Sequence, residues 1–174
     1  MKHLEIEMKT LLSEEEYNRL QAQFLEVTPI TQKNYYLDTP DFYLRKHKIA
    51  MRIRTFDTSA ELTIKIPQKV GNMEYNQDLT LEEAKYCLEN CKLPQGMILE
   101  ELTSRGLSTS GWVVLGCLTT VRFEKETAIG LMALDQSRYF DIVDYELELE
   151  VENGDQGNLD FQEFLRANEI QYKK

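Results

Sequence analysis

The sequence has few of the residues that build thiolate metal sites or disulfide frameworks. Only three cysteines occur among 174 residues, at positions 87, 91 and 117, and only two histidines. No Cys-x-x-Cys pair is present. A structural zinc site needs about four thiolate or imidazole ligands, and a disulfide framework usually has an even number of cysteines. We therefore expect Cys87, Cys91 and Cys117 to be free packing thiols in a reducing compartment.

Long apolar runs and linkers are also missing. No apolar run approaches the ~20 residues of a membrane helix, and residues 1–9 alternate charged with apolar side chains instead of forming the apolar segment of a signal peptide. There is no repeat, low-complexity tract or linker rich in Pro, Gly or Ser. We predict one cytoplasmic domain over residues 1–174 with no membrane association.

Positive charge is in the minority. The chain has 20 Lys and Arg against 30 Asp and Glu, a net charge of −10. Nucleic acid and anionic membranes are therefore poor candidate partners, although a local basic cluster can still bind a small anion. Hydrophobic residues make up 42% of the chain, which is enough for a core. Both a monomer and a homodimer are compatible with this composition.

What the sequence does contain is a series of strands with one charged face. Successive side chains of a strand point to opposite faces, so residues two apart share a face. Charged residues 5, 7 and 9 alternate with apolar residues 4, 6 and 8, which predicts a first strand. Further strands are predicted at residues 31–37, 49–56, 61–66, 73–79, 112–124, 128–135 and 142–152.

Helix signals lie between and after these strands. Ser13 with Glu16, and Thr80 with Glu83, have the spacing of capping boxes. They predict helices after Ser13 and from residue 80 to about 90, and further helices are predicted at residues 96–105 and 159–167. About eight strands with hairpin-like spacing and three or four helices indicate an α+β protein.

The charged face recurs on nearly every strand. Its members are Glu5, Glu7 and Lys9; Arg52 and Arg54; Glu61, Thr63 and Lys65; Glu74, Asn76 and Asp78; Thr120, Arg122 and Glu124; and Asp144, Glu146, Glu148, Glu150 and Glu152. One interpretation is a sheet that shows this face to water and packs its apolar face on helices.

Three features favour an inward-facing charged wall instead. Glu and Arg have low strand propensity, yet they recur on most strands. Acids repeat along residues 144–152, where like charges repel unless a cation neutralises them. The amphipathic helices can cover the apolar faces, and about eight strands can close into a barrel with room for one small ligand.

The two signs of charge on one wall indicate a particular ligand class. Arginine forks match phosphate oxygens, and Mg²⁺ or Mn²⁺ takes carboxylate oxygens together with substrate phosphates. Carboxylates alone would suit a bare metal, and basic residues alone would suit a bare anion. The combination favours a metal–polyphosphate complex.

The order of these motifs resembles the CYTH family, the triphosphate tunnel metalloenzymes, and is most similar to its Bacillus-type bacterial members. The matching segments are Glu5-x-Glu7-x-Lys9, residues 35–39 (Tyr-Tyr-Leu-Asp-Thr), residues 44–54 ending in Arg52-x-Arg54, residues 62–65 ending in Lys65, Arg122, residues 134–135, and Glu146-x-Glu148 with Glu150. The resemblance covers nearly the whole chain.

The resemblance implies a fold and a function. The fold would be α+β, with about eight antiparallel strands closed into a tunnel-like β-barrel and amphipathic helices packed outside. The function would be hydrolysis of a triphosphate inside this tunnel with Mg²⁺ or Mn²⁺. The substrate would be inorganic triphosphate or a triphosphorylated organic compound such as thiamine triphosphate. Two alternatives stay open: a class IV-type adenylate cyclase, and a non-catalytic polyphosphate- or triphosphate-binding protein.

The resemblance also implies roles for single residues. The metal ligands would be Glu5, Glu7, Asp135, Glu146 and Glu148, with Glu150 as an alternative in register. The substrate-binding residues would be Lys9, Arg52, Arg54, Lys65 and Arg122, and the catalytic residues would be Glu146, Glu148 and Lys65. Glu74 would be a further residue of the inner wall.

One family feature is not obvious near the C-terminus. Members commonly have a late helix with a basic residue that closes one end of the tunnel. In this chain, either Lys173 or Lys174 takes that role, or the plug segment is absent from residues 1–174.

Overall fold

Eight strands form a closed barrel in the computed structural model, which describes residues 1–174. The strands are β1 (Lys2–Leu12), β2 (Ile30–Asp38), β3 (Ala50–Thr55), β4 (Ala60–Pro67), β5 (Asn72–Leu79), β6 (Val113–Thr127), β7 (Gly130–Tyr139) and β8 (Ile142–Val151). They pair in the order β1-β5-β4-β3-β2-β6-β7-β8, and the barrel is closed. The predicted α+β fold with a closed antiparallel barrel is confirmed.

Five α-helices and one 3₁₀ turn accompany the barrel. The helices are α1 (Glu14–Gln21), α2 (Tyr43–Lys46), α3 (Leu81–Asn90), α4 (Met97–Ser104) and α5 (Gly154–Ala167), and the 3₁₀ turn is Ala22–Phe24. Both predicted capping boxes are present, at the starts of α1 and α3. None of the helices is long and apolar enough to cross a membrane.

The sequence did not predict α2, because a side chain outside the helix organises this single turn. Asp38 Oδ1 accepts hydrogen bonds from the backbone N–H groups of Thr39 at 2.7 Å and of Leu44 at 2.8 Å. Asp38 Oδ2 accepts a third from Arg45 N at 3.1 Å. Capping of this kind satisfies donors at the start of a helix. The aspartate of the Tyr-Tyr-Leu-Asp-Thr segment is therefore a buried structural group.

The chain divides into two compact units. The first unit comprises Met1–Leu4 and Gln32–Leu118, and the second comprises Glu5–Thr31 and Thr119–Lys174. Each unit has its own cluster of buried apolar side chains. The boundary of a single domain over residues 1–174 stays a prediction.

In the first unit, helices cover the apolar face of β3 and β4. Ile53, Leu62 and Ile64 project from these strands and pack with Ile98 and Leu102 of α4, and all five are fully buried. Each buried aliphatic side chain contributes roughly 1.5–3 kcal/mol. This packing fixes which face of the strands is turned away from the helices.

The second unit repeats this arrangement with other helices. Leu134 of β7 and Leu147 and Leu149 of β8 pack with Leu20 of α1 and Phe161 of α5. Since the helices lie outside a closed barrel, the opposite faces of these strands are the inner ones. The charged residues of each unit alternate with the packed ones and lie on the inner face.

The C-terminal residues lie on the outer face of β1. The backbone N–H of Lys173 donates to Thr10 Oγ1 at 2.8 Å, and its carbonyl accepts from Leu11 N at 3.0 Å. The Lys173 ammonium donates to Glu16 Oε1 at 2.9 Å. Thr10 is on the face of β1 opposite to Lys9. Lys173 is therefore held on the helix-covered side and does not take the tunnel-closing role considered from the sequence.

Glu16 connects this segment to α1. Burial alone would raise the pKa of Glu16, but hydrogen bonds from the Ser13 backbone, Lys173 and the Gln171 backbone lower it from 4.5 to about 2. A carboxyl group whose pKa is lower in the folded state stabilises the fold above its unfolded pKa, and this contribution is lost as the pH falls towards the folded value. For Glu16 that window runs from about pH 4.5 down to about 2.

We expect Glu16→Gln to lower the free energy of unfolding at pH 7 by about 1–3 kcal/mol, because the amide keeps the shape and loses the charge-assisted hydrogen bonds. The difference from the native chain should shrink as the pH falls from 4.5 towards 2. Thermal unfolding followed by circular dichroism measures both. Glu83→Gln, in the exposed capping box of α3, is the matched control and should cost less. Equal losses in both variants would show that the hydrogen bonds of Glu16 to Lys173 and Gln171 add no stability.

Candidate active site

An arginine on the inner face of the second unit binds two carboxylates. Arg122 on β6 lies opposite Asp135 on β7. Its Nε and Nη2 donate to the two carboxylate oxygens of Asp135 at 2.8 and 2.7 Å. Nη2 also donates to Glu148 Oε2 at 3.1 Å. Burial alone would lower the pKa of Arg122, but Asp135, Glu148 and Glu124 raise it far above the usual range, so the guanidinium stays charged.

Three carboxylates meet beside this arginine. Strand register places Asp135 of β7 opposite Glu146 of β8, and Glu148 follows two residues later on the same face. One oxygen of each carboxylate lies within 4.8 Å of the other two. Oxygen ligands at such spacing suit a divalent cation such as Mg²⁺ or Mn²⁺. The structure thus brings together three of the predicted metal ligands, which we call the carboxylate trio.

Burial and nearby negative charge favour the protonated form of one member of the carboxylate trio, Glu146. Burial, a hydrogen bond with Glu148 and the negative charges of Glu148 and Asp135 raise the pKa of Glu146 to about 8, against an opposing effect of Lys9. Two carboxylates can hydrogen-bond to each other only when one carries the proton. A bound divalent cation would replace that proton as the neutralising charge.

The charged residues of β1 lie beside the last strand. Lys9 is opposite Glu148, and Glu7 is opposite Glu150. The Lys9 ammonium is 4.0 Å from Glu7, and its side chain is 57% exposed. Glu5 precedes Glu7 on the same face and is buried. Lys9 is therefore open to an approaching anion, and Glu150 lies outside the carboxylate trio.

The inner face of the first unit is richer in basic groups. Arg54 on β3 donates from Nε to Asn34 Oδ1 of β2 at 2.6 Å, and its Nη1 is 3.9 Å from Glu61. Asn34 is only 2% exposed. Its side chain fixes the direction in which Arg54 presents its remaining donors. Asn34 was not among the residues predicted from the sequence, although its position two residues before Tyr36 places it on this face.

Lys65 is oriented by a chain of three polar side chains across β4 and β5. Thr63 Oγ1 donates to Asn76 Oδ1 at 2.6 Å, and Asn76 Nδ2 donates to Glu74 Oε1 at 2.8 Å. The other oxygen of Glu74 is 3.6 Å from the Lys65 ammonium. Glu74, predicted as an inner-wall residue, thus lies beside Lys65. Thr63 and Asn76 position this pair, a role that the sequence did not indicate.

Arg52 differs from its neighbours on the same face. Its Nε is buried and has no hydrogen-bond partner. Buried donors are nearly always paired with protein or water. Arg52 therefore presents an unused donor on the inner face of the first unit, where a ligand oxygen would satisfy it.

Comparison with known proteins agrees with the order of the motifs. The CYTH domain pattern matches residues 3–174. The Bacillus subtilis (strain 168) protein named "Putative triphosphatase YjbK" is 34% identical over 169 residues, which are 96% of this chain and 87% of that protein. The crystal structure of a "putative adenylate cyclase" from Bacillus halodurans has a TM-score of 0.92 at 36% identity, and covers 99% of this chain and 94% of its own.

A more distant structure has the same fold. HpAC1 from Hippeastrum, described as having a dominant triphosphatase activity, has a TM-score of 0.82 at 23% identity. The match covers 98% of this chain and 90% of that one.

We expect Glu146→Gln to raise the thermal midpoint of the metal-free protein by about 2–6 °C at pH 8. Between pH 4.5 and about 8 the unfolded chain releases the Glu146 proton before the folded protein does, so native stability falls as the pH rises and the gain in the variant grows. Thermal unfolding in chelator at several pH values measures this.

The control for this experiment is Glu152→Gln, an exposed position just after β8. It makes the same chemical change without relieving repulsion in the carboxylate trio. If Glu146→Gln does not raise the thermal midpoint, or raises it equally at pH 5 and pH 8, the pKa of Glu146 is not raised in the folded protein.

Proposed function

Because the chain belongs to the CYTH family, we propose that it hydrolyses a triphosphate with Mg²⁺ or Mn²⁺ on the charged inner face of its barrel. The observation that carries this proposal is the carboxylate trio, whose oxygens lie within 4.8 Å of one another beside a charged arginine. The 34% identity with "Putative triphosphatase YjbK" supports the same reaction class.

The carboxylate trio would hold the cation. Three carboxylate oxygens on adjacent strands are the hard ligands that Mg²⁺ and Mn²⁺ prefer, and the raised pKa of Glu146 marks where positive charge is needed. Glu5 and Glu7 on β1 are proposed as further ligands. Glu150, which lies opposite Glu7, is the alternative to Glu146 and Glu148 among the β8 carboxylates. When bound, the cation neutralises phosphate charge and polarises a phosphoryl oxygen.

The basic side chains would hold the phosphates. Arg52 offers its unused Nε, Arg54 is directed by Asn34, and Lys65 is directed by Glu74. Lys9 is exposed enough to meet the anion as it enters. Preorganised positive groups of this kind stabilise the charge of a transferring phosphoryl group.

Arg122 has a second role besides phosphate binding. It makes three hydrogen bonds with Asp135 and Glu148, so most of its donors are already used. We assign it to positioning these two carboxylates, with its remaining N–H groups available to a phosphate oxygen.

The reaction itself is the addition of water across a phosphoanhydride bond. The water oxygen forms a bond to phosphorus, the bridging P–O bond breaks, and the products are a phosphate and a diphosphate or its organic derivative. A β8 carboxylate, Glu146 or Glu148, accepts the proton of the attacking water. Lys65 stabilises the developing negative charge, which gives a role to each residue predicted as catalytic.

A second candidate function is adenylate cyclisation. It is favoured by the 36% identity with the Bacillus halodurans protein described as a "putative adenylate cyclase". The same phosphate-binding and metal-binding groups would serve, with a ribose hydroxyl as nucleophile in place of water. A protein that binds polyphosphate or triphosphate without turnover is the third candidate.

The test is product formation from tripolyphosphate, thiamine triphosphate and ATP with Mg²⁺ or Mn²⁺, each against a chelator control. We expect metal-dependent release of orthophosphate, and a fall in kcat/KM on the order of 100-fold or more in Glu148→Gln. Glu152→Gln should leave turnover unchanged, since Glu152 is exposed and lies beyond the end of β8.

Other products would establish the other candidates. Cyclic AMP from ATP would establish the cyclase, and tight binding without any product would establish a binding protein. Turnover that needs no metal, or is unchanged in Glu148→Gln, would contradict the proposed site.

A further inference from the structure

A second unused donor lies on the inner face of the first unit. Gln32 of β2 is only 3% exposed, and its Nε2 has no hydrogen-bond partner. Burying an amide N–H without an acceptor is costly, and native structures contain few such groups. A ligand that supplies the acceptor would remove this cost.

Strand alternation places Gln32 on the charged face. Lys33 is exposed, whereas Gln32 and Asn34 on either side of it are buried. Asn34 contacts Arg54, so the side of β2 that Asn34 shares with Gln32 is the side facing the basic cluster. Gln32 is therefore the next residue along β2 on the same face as Asn34, whose side chain orients Arg54.

The unpaired groups of Arg52 and Gln32 have the same polarity. Arg52 Nε is a donor only, and so is the amide nitrogen of Gln32. Two buried donors without acceptors, a charged one on β3 and a neutral one on β2, lie on the same face as Arg54. A ligand that satisfies both must present an acceptor oxygen to each, and a polyphosphate chain carries many such oxygens.

We propose that Gln32 is a further substrate-binding residue, whose Nε2 donates a hydrogen bond to a phosphate oxygen of the triphosphate. This inference rests on the proposed function. A neutral amide adds a directional hydrogen bond without adding charge, so Gln32 acts on substrate affinity more than on the chemical step.

The experiment uses two variants of Gln32 and one control. Gln32→Met keeps a similar size and removes the donor, and Gln32→Glu keeps the shape but turns a carboxylate towards the phosphates. Gln162→Glu, on an exposed position of α5, makes the same change in net charge away from the inner face. Steady-state phosphate release from tripolyphosphate with Mg²⁺ gives KM and kcat for each.

We expect Gln32→Met to raise KM about tenfold with little change in kcat, because the lost hydrogen bond is to a charged group. Gln32→Glu should raise KM further, and Gln162→Glu should match the native chain. The thermal midpoint of ligand-free Gln32→Met should equal or exceed the native one, since an unpaired buried N–H has been removed.

Two outcomes would overturn the role of Gln32 alone. One is a native KM in both Gln32 variants. The other is a lowered ligand-free midpoint in Gln32→Met, which would make Gln32 a structural residue. If the native chain releases no phosphate, the proposed function fails, and this inference fails with it.

Discussion

Repulsion between carboxylates on the inner face of the barrel is the constraint on which the rest of the site depends. Asp135, Glu146 and Glu148 present oxygens within 4.8 Å of one another. At an effective dielectric constant of about 20, each ionised pair at this separation costs about 3 kcal/mol, which is enough to shift a pKa by about two units. The guanidinium of Arg122 offsets part of this cost, and the rest raises the pKa of Glu146 so that its protonated form is favoured. A divalent cation can replace that proton.

The outer packing keeps these charges where they are. A one-residue shift of strand register would move every side chain to the opposite face. Leu147 and Leu149 alternate with Glu146 and Glu148 on β8 and are fully buried against the outer helices. Because Leu147 and Leu149 can be buried only against the outer helices, Glu146 and Glu148 must lie on the inner face despite their mutual repulsion. The first unit is arranged in the same way. Ile53 is buried against the outer helices, and Arg52 and Arg54 on either side of it point to the inner face.

The strands, their charged faces and the starts of two helices could be predicted from the sequence, because alternation shows which residues share a face and capping boxes mark where helices begin. The partner of each charge could not be predicted, since it depends on strand register. Arg122 faces Asp135 across a strand pair, Arg54 is held by Asn34, and Lys173 is bound to Glu16 on the outer side. Helix α2 could not be predicted, because its four residues are too few to show a helical pattern of apolar side chains. The cytoplasmic location stays a prediction from composition.

The central claim is that the carboxylate trio is a divalent cation site, and Mn²⁺ tests it most directly because its anomalous X-ray scattering locates it without assumptions about the reaction. In crystals grown with Mn²⁺, an anomalous peak is expected at about 2.2 Å from carboxylate oxygens of Asp135, Glu146 or Glu148. The peak should be lost in Glu148→Gln. An anomalous map with no peak at these residues, or with a peak there that persists unchanged in Glu148→Gln, would contradict the claim.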